Sequence, residues 1–236
     1  MNVFIVYANE RAASFNAALK DTAVRVFGER GDPVEVSDLY AMGFKAVADR
    51  TDFLEVSAED LPYQVAQNAA AQKQLLCPEI KAEVDKLFWA DLLIFHFPLW
   101  WFAVPAILKG WIDRVLINGL MYSRGNWYGN GTFKGKHALA TLTTGAPQTA
   151  YGRTGINGDL EHLLFPIQHG VFHFLGMDTI DPFIVHGSAY ISQTQREEKL
   201  LAYERKLSGI ENASRTPPPD TGRYDHGTWQ LIMGSE

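Results

Sequence analysis

A single cysteine, Cys77, stands in 236 residues. One thiol closes no internal disulfide and builds no multi-thiolate metal centre, so a reducing compartment is expected. Basic residues are also scarce, with 21 Lys and Arg against 27 Asp and Glu and a formal net charge of −6. Nucleic acid as the main partner is disfavoured, because phosphate binding needs a Lys/Arg excess on some face. The apolar stretches are broken by His, Pro and Lys, so no transmembrane segment is expected. Only Met1-Asn2 precedes the first apolar run, with no basic cluster, so the expected location is cytoplasmic. Several nucleotide and hydrolase signatures are missing: GxGxxG after the first apolar run, the GxxxxGK[ST] loop and the GxSxG elbow. So is the acidic pair that a phospho-acceptor domain would carry after its first strand.

What is present is apolar residue in quantity, 47% of the chain, enough for one large core. Residues 2–8, 91–97 and 137–144 read as strands. The first two are continuously apolar, the pattern of strands buried on both faces. Val34-Glu35-Val36 alternates like a more exposed strand, and residues 181–185 read as a fifth. Helical periodicity covers 15–27, 78–88, 105–117, 159–175 (broken at Pro166) and 193–208. Residues 40–77 form an irregular, acidic excursion with one helix, carrying Asp49, Asp52, Glu55, Glu59 and Asp60. Strands alternating with helices predict an α/β fold: a doubly wound, five-stranded, mostly parallel sheet with helices on both faces. The expected catalytic domain is 1–208, followed by a tail, 209–236, that contains Pro217-Pro218-Pro219.

Right-handed crossovers bring the loops 9–14, 98–104 and 144–158 to one edge of such a sheet, where ligands bind. Ser14 is a plausible helix cap, and with Phe15 and Asn16 it opens a helix whose free N–H groups suit an anion. Pro98-Leu99-Trp100-Trp101-Phe102 places three consecutive aromatic residues at that edge, a surface on which a planar ring would stack. Thr143-Thr144-Gly145-Ala146 adds hydroxyls and close backbone approach. Tyr151 and Asn157 follow in a Gly-rich loop. Together these segments predict a slot for a flavin ring.

In these residues the chain resembles the NAD(P)H:quinone oxidoreductase (DT-diaphorase) family of flavodoxin-like flavoproteins. The resemblance rests on Ser14-Phe15-Asn16, Ser37 to Met42, Phe97 to Leu99, Trp101-Phe102 and Val104 to Trp111. It continues through Thr143-Thr144-Gly145, Tyr151, Gly155-Ile156, Gly158-Asp159 and Pro166-Ile167-Gln168, and spans roughly residues 3–200. It implies bound FAD (FMN in related reductases), a nicotinamide donor, NAD(P)H, and ping-pong two-electron reduction of quinones. It also implies a homodimer with its sites at the subunit interface. Ser14, Phe15, Asn16, Pro98, Leu99, Trp100, Trp101, Phe102, Thr143, Thr144, Gly145, Ala146, Tyr151 and Arg196 are the implied cofactor residues. Trp101, Phe102, Tyr122, Arg124 and Phe174 are the implied substrate residues, with Tyr151 and Asn157 catalytic. Alternative readings are an FMN-dependent azo, nitro or metal-ion reductase, a flavodoxin-type electron carrier, and a flavin-bearing regulator that binds a partner.

The chain departs from the family pattern at four positions. Asn157 stands where the family commonly has His, Asn9 replaces its usual His after the first strand, Trp100 replaces a Gln, and Arg124 replaces one of two pocket tyrosines. One branch of the family shares the Asn and uses unusual nicotinamide donors. An amide donates a hydrogen bond without delivering a proton, so proton delivery is expected from Tyr151 or water. His169 and His173 have metal-ligand spacing, but the tail lacks the cysteine that completes the zinc site of the Asn-bearing branch, so no metal is expected.

Overall fold

The computed structural model describes residues 1–54 and 61–232. Glu55, Glu59 and Asp60, and the chain end from Met233, lie outside them. The strands are β1 (Val3–Tyr7), β2 (Val34–Asp38), β3 (Leu92–Pro98), β4 (His137–Thr143), β5 (Asp178–Val185) and β6 (Arg215–Thr216). The α-helices are α1 (Phe15–Glu29), α2 (Tyr63–Gln72), α3 (Pro78–Trp89), α4 (Ala106–Val115), α5 (Leu160–Ile167) and α6 (Gln193–Ser208).

The sheet order is β2-β1-β3-β4-β5-β6. The first five strands are parallel, as the alternating pattern predicts, while β6 is antiparallel to β5. The sheet therefore has six strands rather than five, and the sixth comes from the tail. Two residues give no periodicity to read, so β6 had no signature. β5 begins at Asp178, three residues earlier than the pattern suggested. A register shift against β4 between Leu139 and Thr141 puts Pro182 in an irregular stretch, where its missing N–H costs no ladder bond.

Period-2 alternation splits the strands between two cores. Phe4, Val6, Leu93, Phe95 and Phe97 pack towards α3 and α4, with Trp111 and Leu87. Val3, Ile5, Leu92 and Ile94 pack towards α1 and α6, with Leu19, Phe27 and Tyr203. Beyond Ile167 the helix widens into a π-helix, Gln168–His173, in which the Phe174 N–H donates to the His169 carbonyl at 3.1 Å.

The acidic excursion is tied down by a buried ion pair. Arg114 of α4 donates to Asp52 at 2.8 Å, and both side chains are inaccessible. The Tyr63 hydroxyl donates to the same carboxylate at 2.7 Å. No helix among the described residues is long and apolar enough to cross a membrane.

Candidate active site

The topology switches between β1 and β3: the chain leaves β1 for β2 on one side and returns as β3 on the other. The loops after these two strands diverge there and leave a crevice at the carboxyl edge. Ser14 caps α1, its Oγ accepting the Ala17 N–H at 3.1 Å and lying 3.2 Å from the Tyr7 hydroxyl. No acidic residue occupies the first turn of α1, so its N-terminus stays electropositive and its leading N–H groups face outward.

Asn16 is buried, and its Nδ2 donates to Thr143 Oγ1 at 2.7 Å. Its Oδ1 is buried with no partner. Accepting from Asn16 leaves the Thr143 hydroxyl proton free. The pair thus offers one orphaned acceptor and one donor beside a helix N-terminus, a set that suits a polyhydroxyl chain running into a phosphate. The donor set fits a flavin nucleotide on this observation.

Thr143 also joins the second loop, since the Leu99 N–H donates to its carbonyl at 2.8 Å. Pro98, the last residue of β3, pairs with Thr143 in the sheet. Trp100 and Ala103 then exchange both backbone hydrogen bonds at 3.0 Å, closing a two-residue turn. Its central residues, Trp101 (φ 51°) and Phe102 (φ 60°), lie in the left-handed region. Such turns normally take Asn-Gly, because a bulky side chain there is strained. Trp101 is nevertheless 95% exposed. The strained turn thus presents two aromatic rings to solvent at the carboxyl edge of the sheet.

In the third loop Thr144 Oγ1 donates to the Ala146 carbonyl at 2.8 Å, so at 3.3 Å it accepts from His186 Nδ1. That assigns the proton to Nδ1 and leaves Nε2 as the acceptor. Burial pushes the His186 imidazole below its ordinary range, with Lys199 adding to the effect, so the ring is neutral at pH 7. The Tyr151 ring lies 5.5 Å from it. Backbone bonds from Asn157 to Ala150 and from Gly152 to Gly158, both 2.9 Å, staple the loop. Gly155 passes so close to Ala150 that a Cβ would lie 2.3 Å from the backbone. Asn157 is half-buried, and Gly145 has open space around it.

Arg196 lies in the first turn of α6. Its guanidinium sits 5.2 Å from the Phe15 ring centroid and donates to the Ser188 carbonyl at 2.7 Å. A cavity of about 480 Å³ beside it is lined by Gln148, His186, Tyr190 and Lys199. A second, of about 250 Å³ and lined by Leu99, Phe102 and Val104, lies behind the aromatic turn.

The fold therefore brings together Ser14, Phe15, Asn16, Leu99, Thr143, Thr144, Ala146, Tyr151 and Arg196. Tyr122 and Phe174 stand in a separate aromatic group, with centroids 5.3 Å apart, joined by Trp127 and Tyr128. Arg124 is exposed. The His169 and His173 rings are 6.0 Å apart, and His173 Nε2 lies 3.0 Å from Thr179 Oγ1 and 3.2 Å from the Thr216 carbonyl. Among the described residues no group of three His, Cys, Asp or Glu side chains is arranged to hold a metal.

His186, Trp127 and Tyr128 were not singled out from the sequence. For His186 a signal existed, since it directly follows a strand at the ligand edge.

A family model described as a flavodoxin-like fold matches residues 1–208. Over 221 residues the chain is 40% identical to the ribosyldihydronicotinamide dehydrogenase (quinone) of Mus musculus, covering 92% of this chain and 96% of that one. The chain belongs to the NAD(P)H:quinone oxidoreductase family of flavodoxin-like proteins. It is also 38% identical, over 87% of its length and 76% of the relative's, to NAD(P)H dehydrogenase (quinone) 1 of Cavia porcellus. A Klebsiella pneumoniae crystal structure, provisionally described as a quinone reductase, superposes with a TM-score of 0.89 at 35% identity. That match covers 98% of this chain and 93% of the other. The family match ends where α6 ends, so the strand β6 and the segment after it are built outside the matched region.

Proposed function

We propose that this protein is a flavin-dependent quinone reductase that takes hydride from a dihydronicotinamide and passes it to a quinone. The observation that carries the reading is Thr143, which ties the electropositive start of α1 through Asn16 to the strained aromatic turn through Leu99. One residue thus registers a phosphate-binding end against a ring-stacking surface. A bound flavin would supply two-electron hydride chemistry there.

Ser14, Phe15 and Asn16 would hold the phosphate and ribityl portion, and Pro98 to Phe102 would support the ring. Thr143, Thr144, Gly145 and Ala146 would line its other edge. FAD is favoured over FMN by Arg196 and by the 480 Å³ cavity beside it, which leaves room for an adenylate half. Tyr151 would hold a proton by its hydroxyl at the edge where charge gathers on reduction. Asn157 would orient the acceptor without releasing a proton. Its identity, and the 40% identity to a ribosyldihydronicotinamide dehydrogenase, favour a donor smaller than NAD(P)H.

The aromatic group of Tyr122 and Phe174 stands apart from its own chain's cofactor residues. In a homodimer it would cover the partner's site, and Arg124 at its margin would meet an acidic part of a substrate.

The test is colour and turnover. The purified protein should be yellow, release FAD on denaturation, and reduce menadione faster with N-ribosyl-dihydronicotinamide than with NADH. A colourless protein that fails to quench added FAD or FMN fluorescence would overturn the reading.

A further inference from the structure

The Tyr151 hydroxyl makes no hydrogen bond among the described residues, so no polar contact within the chain sets the direction of its ring. The backbone around it is held. The Tyr151 N–H donates to the Gln148 carbonyl at 3.0 Å, and a left-handed glycine, Gly152 (φ 95°), follows. A fixed backbone places Cβ but leaves the staggered wells of χ1 open. The direction of the phenol is therefore a matter of packing. Among the described residues one aromatic ring lies against Tyr151, that of His186, with centroids 5.5 Å apart and planes at 41° to each other. That separation lies within the range of favourable tilted pairs.

His186 is itself braced. The residues around it carry the β4–β5 pairing past the strand ends. The Thr144 N–H donates to the Val185 carbonyl at 3.0 Å, the Gly187 N–H to the Ala146 carbonyl at 2.9 Å, and the Ser188 N–H to the Thr144 carbonyl at 3.0 Å. The imidazole is then pinned through Nδ1 to Thr144 Oγ1, whose own proton is held by the Ala146 carbonyl. A rigid sheet end thus fixes one ring, and that ring supports a tyrosine that nothing else in the chain orients by a polar contact.

We propose that His186 is a positioning residue for Tyr151, holding the phenol at the edge of the flavin slot where negative charge gathers on reduction. The inference deepens the quinone-reductase reading and rests on it. Asn157 releases no proton, so the placement of Tyr151 decides whether a hydroxyl meets that charge. Displacing such a group by ~1 Å costs up to ~100-fold in rate.

The test has two arms. The first measures the order parameter of the Tyr151 ring by nuclear magnetic relaxation, on the full-length protein as purified with isotope-labelled tyrosines, the signal being identified by its loss in Tyr151→Phe. His186→Ala should lower that order parameter by roughly a third, from the rigid towards the flexible range. His186→Phe, which keeps a ring, should preserve it. If His186→Ala fails to fold, His186→Asn, which keeps a donor for Thr144 and removes the ring, carries the same measurement.

The second arm follows flavin reduction by N-ribosyl-dihydronicotinamide in a stopped-flow instrument. His186→Ala should lower the limiting rate about tenfold, with the dissociation constants of flavin and donor within about twofold of the parent, because orientation rather than binding is lost. In a Tyr151→Phe background the same change should alter the limiting rate by less than about twofold, since the hydroxyl that His186 aims is already gone. An unchanged ring order in His186→Ala, losses that multiply in the double variant, or a loss in His186→Phe as large as in His186→Ala would overturn the inference while leaving the quinone-reductase reading intact. A protein that binds no flavin would overturn that reading and the catalytic role of the pair together, and the ring order would still report whether His186 holds Tyr151.

Discussion

The Asn16 side-chain amide donates to the Thr143 hydroxyl at 2.7 Å across 127 residues of sequence. Asn16 belongs to the first turn of a helix and Thr143 ends a strand, and neither can shift without the other.

Asn16→Ala should therefore weaken flavin binding about tenfold, the equivalent of one hydrogen bond of ~1.4 kcal/mol. Titrating the apoprotein with FAD and following flavin fluorescence measures this directly. Unchanged affinity would mean that the orphaned Oδ1 is not a ligand group.

The turn at Trp101 and Phe102 stores strain in the absence of any stacking partner. Replacing the pair with Asn-Gly, which suits φ near 50–60° at both positions, should stabilise the domain by ~1 kcal/mol and raise Tm by about 2–4 °C. The same change should lower kcat/KM for menadione by at least ~10-fold. Calorimetry and steady-state rates on one preparation separate the two effects.

His96 is fully buried in β3. Its Nε2 lies 2.9 Å from the Tyr203 hydroxyl, which in turn lies 3.0 Å from Thr141 Oγ1, and Nδ1 has no partner. Desolvation, with the charge of Lys20 adding to it, pushes its pKa down from 6.5 to about 3. The folded value lies below the unfolded one, so His96 favours the unfolded state as pH falls. The loss starts near 6.5, where the unfolded ring begins to protonate, and is complete near 3. His96→Leu should flatten the dependence of urea-derived stability on pH over that window.

The pair Asp52–Arg114 is buried, and removing Asp52 leaves the Arg114 guanidinium with Glu79, at 2.8 Å, as its remaining carboxylate and strips the two donors that face Asp52 of their acceptor. Burial works against ionisation of Asp52, but hydrogen bonds from Arg114 and Tyr63 outweigh it and hold the carboxyl below its usual range. The resulting stability is present above the unfolded carboxylate range, near ~3.9, and fades as pH falls through the lower folded value. Asp52→Ala should cost about 3–5 kcal/mol by denaturant titration at pH 7, whereas the double change Asp52→Leu with Arg114→Met should recover most of it.

The strands buried on both faces were legible because continuous apolar runs such as Leu92 to Phe97 admit few other readings. Ser14 was legible as a cap because its role is local. The position of the loops 9–14, 98–104 and 144–158 was legible once the strands were, since a parallel sheet sends every such loop to one edge. β6 and the start of β5 were not legible. Two residues carry no period, and the irregularity near Pro182 hides the alternation around it.

Composition and local pattern by themselves determined the α/β class, the parallel direction of five strands and the edge at which the loops 9–14, 98–104 and 144–158 emerge. These follow from side-chain period, helix capping and crossover handedness, which act over a few residues or are the same for every chain. Only the tertiary structure decided that Asn16 meets Thr143, that His186 takes its tautomer from Thr144, and that the tail returns to stack Trp229 on Trp127. Each of these joins residues distant in sequence, and such contacts are selected by the packing of the whole domain rather than by any local preference.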